Sequence, residues 1–204
     1  MSGQGGDPKG ERLGSREVFR GRTFDVDVDR VRLPNGKEMD MELVHHRGAA
    51  AVVPVLGDGT VLLVRQYRYA TGGWLLEIPA GKIDGGEPPE ACAGREVEEE
   101  VGYRPGKLES LGWIWTTPGF ADEKIWLYLA TDLEPAEQAL EEDEVLSIEK
   151  MPLGEAVEKA LRGEIYDAKS AVALMRAGRA LTPQPLSPDP SLPPAPGERG
   201  SRAP

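Results

Sequence analysis

Gly81-Lys-Ile-Asp84-Gly-Gly-Glu87-Pro-Pro-Glu-Ala-Cys92-Ala-Gly-Arg95-Glu96-Val-Glu-Glu99-Glu100-Val-Gly102-Tyr103 passes from a glycine-punctuated loop into a helix in the middle of a strand-rich chain. Pro88 and Pro89 suit a first helical turn, where a missing N–H costs nothing, and Gly102 supplies a stop. Between them Ala91 to Val101 reads as helix. Glu96, Glu99 and Glu100 stand at i, i+3 and i+4, so the three carboxylates project from one face. Such like-charge crowding destabilises an isolated helix, and Gly94 in the interior costs about 1 kcal/mol more relative to Ala. A hard divalent cation would offset both costs, because Mg²⁺ or Mn²⁺ takes its ligands mainly from carboxylate and carbonyl oxygens. Arg95, four residues before Glu99, is placed to hold that carboxylate. Taken alone, the three glutamates also suit an ordinary solvated helix face.

Outward from this helix the period changes to two. Phe24 to Leu33 alternates apolar and charged residues, Pro34-Asn35-Gly36 offers a turn, and Glu38 to Val44 alternates again, which predicts a hairpin with one face to bury. Ala49 to Leu56 and Thr60 to Tyr67 are more continuously apolar around Gly57-Asp58-Gly59 and read as strands nearer the core. Trp74 to Ile78 is a short strand leading into Pro79-Ala80-Gly81. Further strands are expected at Leu108 to Trp115, Lys124 to Ala130 and Val145 to Met151, with closing helices near Leu153 to Leu161 and Ala168 to Ala180. Strands interrupted by one helix and finished by two more predict a mixed α/β or α+β architecture.

The chain has 204 residues, 24 Lys plus Arg against 35 Asp plus Glu, and a net charge of −11. That argues against a protein that reads nucleic acid through a broad basic surface. The charge is unevenly placed: Gly81 to Tyr103 carries −5, Asp132 to Glu149 carries −8, and the remainder is about +2. No apolar run approaches the roughly 20 residues needed to span a membrane, and the first residues lack the apolar centre of a secretory signal. A cytoplasmic protein with no membrane partner is expected. The single cysteine, Cys92, excludes an internal disulfide and reads as a small core residue. Residues 182–204 carry 8 of the 18 prolines with almost no large apolar side chains, so this tail and residues 1–14 are expected to be disordered. The folded body is then 15–181.

With its flanks included, the opening stretch fits the 23-residue Nudix box: a Gly, five residues, Glu, seven residues, then Arg-Glu-aliphatic-x-Glu-Glu-x-Gly-aliphatic. Gly81, Glu87, Arg95, Glu96, Glu99, Glu100 and Gly102 fill every polar and glycine position, and only Tyr103 departs, at an aliphatic position. The chain therefore resembles a Nudix hydrolase. The resemblance implies an α/β/α sandwich with a mixed sheet at 48–181, preceded by an antiparallel β-hairpin subdomain at 15–47 that serves dimerisation. It further implies that Glu96 and Glu100 bind catalytic metal, Mg²⁺ or Mn²⁺, that Glu99 assists in metal binding or orientation, and that the carbonyl of Ala80 joins the metal. Gly81, Glu87, Arg95 and Gly102 would support the loop and helix.

Pro118, sixteen residues after Gly102 and followed by Gly119 and Phe120, is similar to the ADP-ribose pyrophosphatase subgroup, as are the N-terminal hairpin and Val64-Arg65-Gln66-Tyr67-Arg68. That subgroup cleaves ADP-ribose to AMP and ribose 5-phosphate as a homodimer. Its loop glutamate that activates water would correspond to Glu142, with Glu144 second. Arg68 and Arg65 would clamp a phosphate, while Pro118, Gly119 and Phe120 would contact substrate. Trp74 and Phe120 are read as core residues or as walls of a base pocket, and of His45 and His46 at least one should face away from any site, because strand neighbours alternate. Other readings are a pyrophosphatase for GDP-mannose, NADH or UDP-glucose, and a non-catalytic ADP-ribose-binding sensor.

Overall fold

The structure is a computed structural model that describes residues 8–140 and 144–181. Three strands come first: β1 (Glu11–Arg20), β2 (Phe24–Arg32) and β3 (Glu38–His46), in an antiparallel sheet ordered β1-β2-β3. The β2–β3 hairpin turns at Asn35-Gly36, with Gly36 at φ +83, as the sequence predicts. Strand β1 is a correction, because it begins inside the segment 1–14 expected to be disordered. All ten of its residues are exposed, and its register with β2 shifts twice, so no apolar alternation betrays it.

The body follows with β4 (Ala49–Pro54), β5 (Thr60–Arg68), β6 (Gly73–Glu77) and β7 (Ala80–Lys82), then α1 (Pro89–Val101), β8 (Tyr103–Trp115), β9 (Lys124–Pro135), β10 (Leu146–Pro152), α2 (Leu153–Leu161) and α3 (Ala168–Leu181). A mixed sheet ordered β7-β4-β9-β8, parallel only between β4 and β9, lies beside an antiparallel sheet ordered β10-β5-β6. The three-residue β7 pairs with β4 through Ala51 and Ala80 and is too short to leave a period in the sequence.

Alternation in the central strands explains the layers. Ala49, Ala51 and Val53 of β4 and Val61 and Leu63 of β5 bury against Ala156 of α2 and Ala173, Leu174 and Ala177 of α3. Their neighbours Ala50, Val52, Leu62 and Val64 bury on the opposite face against Cys92, Ala93, Val97 and Val101 of α1. Strands apolar on both faces need helices on both, and the result is the expected α/β/α sandwich with a mixed sheet. Helix α1 stops where Gly102 turns left-handed at φ 70 and its N–H bonds the Glu98 carbonyl at 3.0 Å, which starts β8 five residues earlier than the sequence period suggests. No helix among the described residues is long and apolar enough to cross a membrane.

Candidate active site

One face of α1, the end of β7, the ends of β4 and β5 and the N-terminus of α3 enclose a cleft of about 640 Å³. Ala80, Gly81, Glu96, Glu99, Arg95, Arg68 and Glu144 all line it. Two of the three carboxylates expected on one face line the cleft, Glu96 and Glu99, whereas Glu100, 1% exposed, does not. The loop preceding α1 is drawn in because Gly81 packs on Glu96, where any side chain would overlap the carboxylate.

Arg95 organises this face. Its Nη1 lies 2.7 Å from both Glu96 Oε1 and Glu99 Oε2, and its Nη2 donates to Glu87 Oε1 at 2.9 Å and to the Lys82 carbonyl at 3.2 Å. Glu87 is held below its ordinary pKa by that bond from Arg95. Burial pushes Glu96 up to about 7, with Arg95 opposing and Glu99 adding to the rise. Burial also raises Glu100 well above its usual value; the Glu96 and Glu144 carboxylates add to this, and a backbone bond from Ala80 and the charge of Arg68 only partly counter it. Glu100 Oε2 is buried with no hydrogen-bond partner among the described residues. A buried carboxylate oxygen without a hydrogen bond, beside a second acid with raised pKa, is a setting that a cation would stabilise. The donor set is all oxygen, which fits a hard divalent cation. Among the described residues no three acids, imidazoles or thiols converge tightly enough to form a closed cage, since Arg95 stands between Glu96 and Glu99. Mg²⁺ bound by one or two carboxylates and completed by substrate phosphates needs no such cage.

The far wall contains a cluster that no local pattern announces. Glu77, 2% exposed, accepts from Arg68 Nε at 2.8 Å and Nη2 at 2.7 Å, and from Lys169 Nζ at 2.6 Å. Lys169 also reaches Asp167 at 2.9 Å, and the Ser170 N–H donates to Asp167 Oδ2 at 3.0 Å, capping α3. Burial alone would raise the Glu77 carboxyl, but the two cations pull it down to about 2. Arg68 therefore reaches the cleft as expected, with two of its nitrogens already committed to Glu77. Arg65 does not reach it: it is half exposed, 3.6 Å from Glu149 on the neighbouring strand.

The segment after β8 also departs from expectation. Thr116, Thr117 and Glu123 line the cleft, whereas Pro118, Gly119 and Phe120 form the exposed turn between them and do not. Trp74 is likewise outside the cleft, edge-on to Tyr67 at 5.7 Å, so neither it nor Phe120 walls this cavity. Of the two histidines, His46 lines the cleft and His45 turns to Asp122, the alternation expected of strand neighbours. Cys92 is fully buried among core residues, its thiol pushed up to about 12 by burial. Glu142 lies outside the described residues.

Residues 45–172 match the NUDIX domain family model. The chain is 40% identical to the ADP-ribose pyrophosphatase of Bacillus subtilis (strain 168) over 164 residues, covering 79% of this chain and 89% of that protein. It is 41% identical to the methanol dehydrogenase activator of Bacillus methanolicus over 162 residues, 78% and 88% of the two chains. Among solved structures, a crystal structure of an ADP compounds hydrolase superposes with a TM-score of 0.74 at 28% identity, covering 85% of this chain and 94% of the other. A family match over more than half of the chain, near-complete coverage of these relatives and a filled acidic box on α1 agree: the chain belongs to the Nudix hydrolase family.

Proposed function

We propose that this protein hydrolyses the pyrophosphate bond of ADP-ribose, adding one water to give AMP and ribose 5-phosphate. The observation that carries the reading is the acidic face of α1, with Glu96 lining a cleft of about 640 Å³ and Glu100 buried behind it with an unpartnered oxygen. The names of the relatives supply the substrate: one acts on ADP-ribose and the solved neighbour on ADP compounds. Nudix hydrolases are generally divalent-metal dependent, and here Glu96, Glu100, Glu99 and the Ala80 carbonyl would hold Mg²⁺ or Mn²⁺. Bound there, such a cation supplies charge neutralisation for the pyrophosphate oxygens and makes a bound water more acidic.

The remaining roles belong to the chain. Arg95 keeps Glu96 and Glu99 on the cleft side, and Glu87 and the Lys82 carbonyl keep Arg95 in place. Gly81 lets the loop backbone close on Glu96. Arg68, pinned by Glu77, orients a phosphate. A glutamate of the acidic stretch after β9, Glu144 in the cleft or Glu142, takes the proton from the attacking water within about 3 Å of its carboxylate. Pro118, Gly119 and Phe120 form the turn that delivers their neighbours Thr117 and Glu123. We further propose that the exposed apolar residues Val18, Phe19 and Phe24 of the N-terminal sheet serve a homodimer interface, and that the enzyme works in the cytoplasm. A turnover panel with Mg²⁺ tests the substrate assignment: ADP-ribose should exceed GDP-mannose, NADH, UDP-glucose and diadenosine polyphosphates in kcat/KM by at least about tenfold, or about 1.4 kcal/mol in transition-state binding. Binding of ADP-ribose without product would instead favour a sensor.

A further inference from the structure

The segment 116–123 crosses from β8 to β9 and carries Thr116, Thr117 and Glu123 into the cleft wall. It is tied to the N-terminal sheet at its far end, through β3. Backbone bonds run from Val44 N–H to the Phe120 carbonyl at 2.8 Å and from Asp122 N–H to the Val44 carbonyl at 3.1 Å. The Asp122 carboxylate then closes the junction: Oδ1 accepts the His46 N–H at 2.8 Å and Oδ2 accepts His45 Nδ1–H at 2.6 Å. From β2, Asp27 Oδ2 stands 3.5 Å from His45 Nε2, and Asp29, 4% exposed, adds a further negative charge. Asp27 Oδ1 and Asp29 Oδ1 are both buried without a hydrogen-bond partner among the described residues. Three carboxylates from two elements thus face one imidazole, which is their counter-charge when protonated.

We propose that His45 and Asp122 form a latch that seats segment 116–123 in the cleft wall, which makes both of them positioning residues for substrate contacts by Thr117 and Glu123. The proposal rests on the reading that this cleft receives the substrate. Neither residue touches the cleft, so their effect is exerted through the backbone of the segment. The direction of pH dependence follows from the charges. The Asp122 bond raises His45 above the ordinary histidine value, with Asp27 and Asp29 adding to the rise, and burial holds Asp122 up less than His45 and the His46 N–H hold it down. A group with a raised folded pKa contributes fully below its unfolded pKa, near 6.5, and loses that contribution as pH rises through the folded value. The latch is therefore tightest in mild acid and loosens on the alkaline side.

Two variants and two readouts test it. Asp122→Asn removes the charge, and His45→Gln keeps a donor but cannot titrate; Asp40→Asn, on the exposed part of β3, is the control. For Asp122→Asn we expect KM for ADP-ribose to rise about tenfold with kcat within about threefold, and for His45→Gln a flattening of the rise in KM between about pH 6 and 9. Independently of activity, amide exchange protection at Val44, His46 and Asp122 should fall at least about tenfold in Asp122→Asn at pH 6. Unchanged protection and unchanged KM would overturn the latch. Loss of protection in Asp122→Asn, found together with a wild-type protein that fails to hydrolyse ADP-ribose, would uphold the latch and overturn the substrate reading.

Discussion

Gly81 and Glu96 are in direct contact: the backbone of the loop lies so close to the carboxylate that a methyl group on Gly81 would overlap both its oxygens. Glu96 cannot simply swing aside, because Arg95 Nη1 holds it at 2.7 Å and it is 5% exposed. Gly81→Ala should therefore displace Glu96 or the loop by a substantial fraction of an ångström. A displacement of about 1 Å can cost about 10²-fold in rate, and a smaller one proportionately less. We expect kcat to fall by one to two orders of magnitude with a melting temperature within a few degrees of wild type, as steady-state kinetics and calorimetry would show. A near-normal kcat would mean that the position of Glu96 is not critical.

The raised pKa values of Glu96 and Glu100 make the metal-free protein sensitive to pH. A carboxyl that titrates higher when folded holds its proton in the native state after the unfolded chain has released it, so stability falls as pH rises from about 4.5 through 7. For Glu96, a rise from 4.5 to about 7 corresponds to at most about 3 kcal/mol. Glu96→Gln should remove the share of that slope due to Glu96 and so be more stable than wild type at pH 8 in chelator, while its kcat with Mg²⁺ falls by orders of magnitude. Urea denaturation at pH 5 and 8 checks the first part; an unchanged slope would contradict it.

Glu77 has the opposite sign. Its carboxyl, drawn down to about 2 by Arg68 and Lys169, contributes stability above the ordinary 4.5 that is lost as pH falls toward 2. Replacing it by Gln leaves Arg68, 38% exposed, without its carboxylate and Lys169, 11% exposed, with Asp167 alone. Breaking a fully buried pair costs about 3 to 5 kcal/mol, and the exposure of Arg68 and the remaining Asp167 contact bring this one to about 1 to 3 kcal/mol. Glu77→Gln should lower the urea midpoint by a corresponding amount at pH 7, and Lys169→Met by less, since Arg68 still holds Glu77. Equal stability of Glu77→Gln and wild type would show that the cluster is not a structural tie.

How much of this was legible in the sequence depended on whether the information was local. The spacing of Glu96, Glu99 and Glu100 reports a helix face because side-chain direction repeats every 3.6 residues, and the contact between Arg95 and Glu99 at i, i+4 follows from the same geometry. The buried strands announced themselves by continuous apolar runs. Strand β1 did not, since its exposed residues are held by backbone pairing with β2 rather than by burial. Lys169 and Thr116 carry no local signal, and the His45-His46 pair does not say which ring faces the site. They meet the acidic helix only because α3, β3 and the end of β8 converge on one cleft, a fact of tertiary packing, with Glu77 of β6 joined to it through Arg68 and Lys169. The same reason explains Pro118 and Arg65: their motif places them near the site in the chain, but the turn and the strand pleat point them elsewhere.

Hydrolysis of ADP-ribose is proposed to take place on the acidic face of α1. Its most direct test is single-turnover product analysis with excess enzyme and Mg²⁺, comparing wild type with Glu100→Gln. Wild type should give AMP and ribose 5-phosphate in equal amounts and none in the presence of a chelator, and Glu100→Gln should react at least about 10³-fold more slowly while remaining folded. Equal rates for the two proteins, or the absence of AMP from a wild-type protein that binds ADP-ribose, would contradict it.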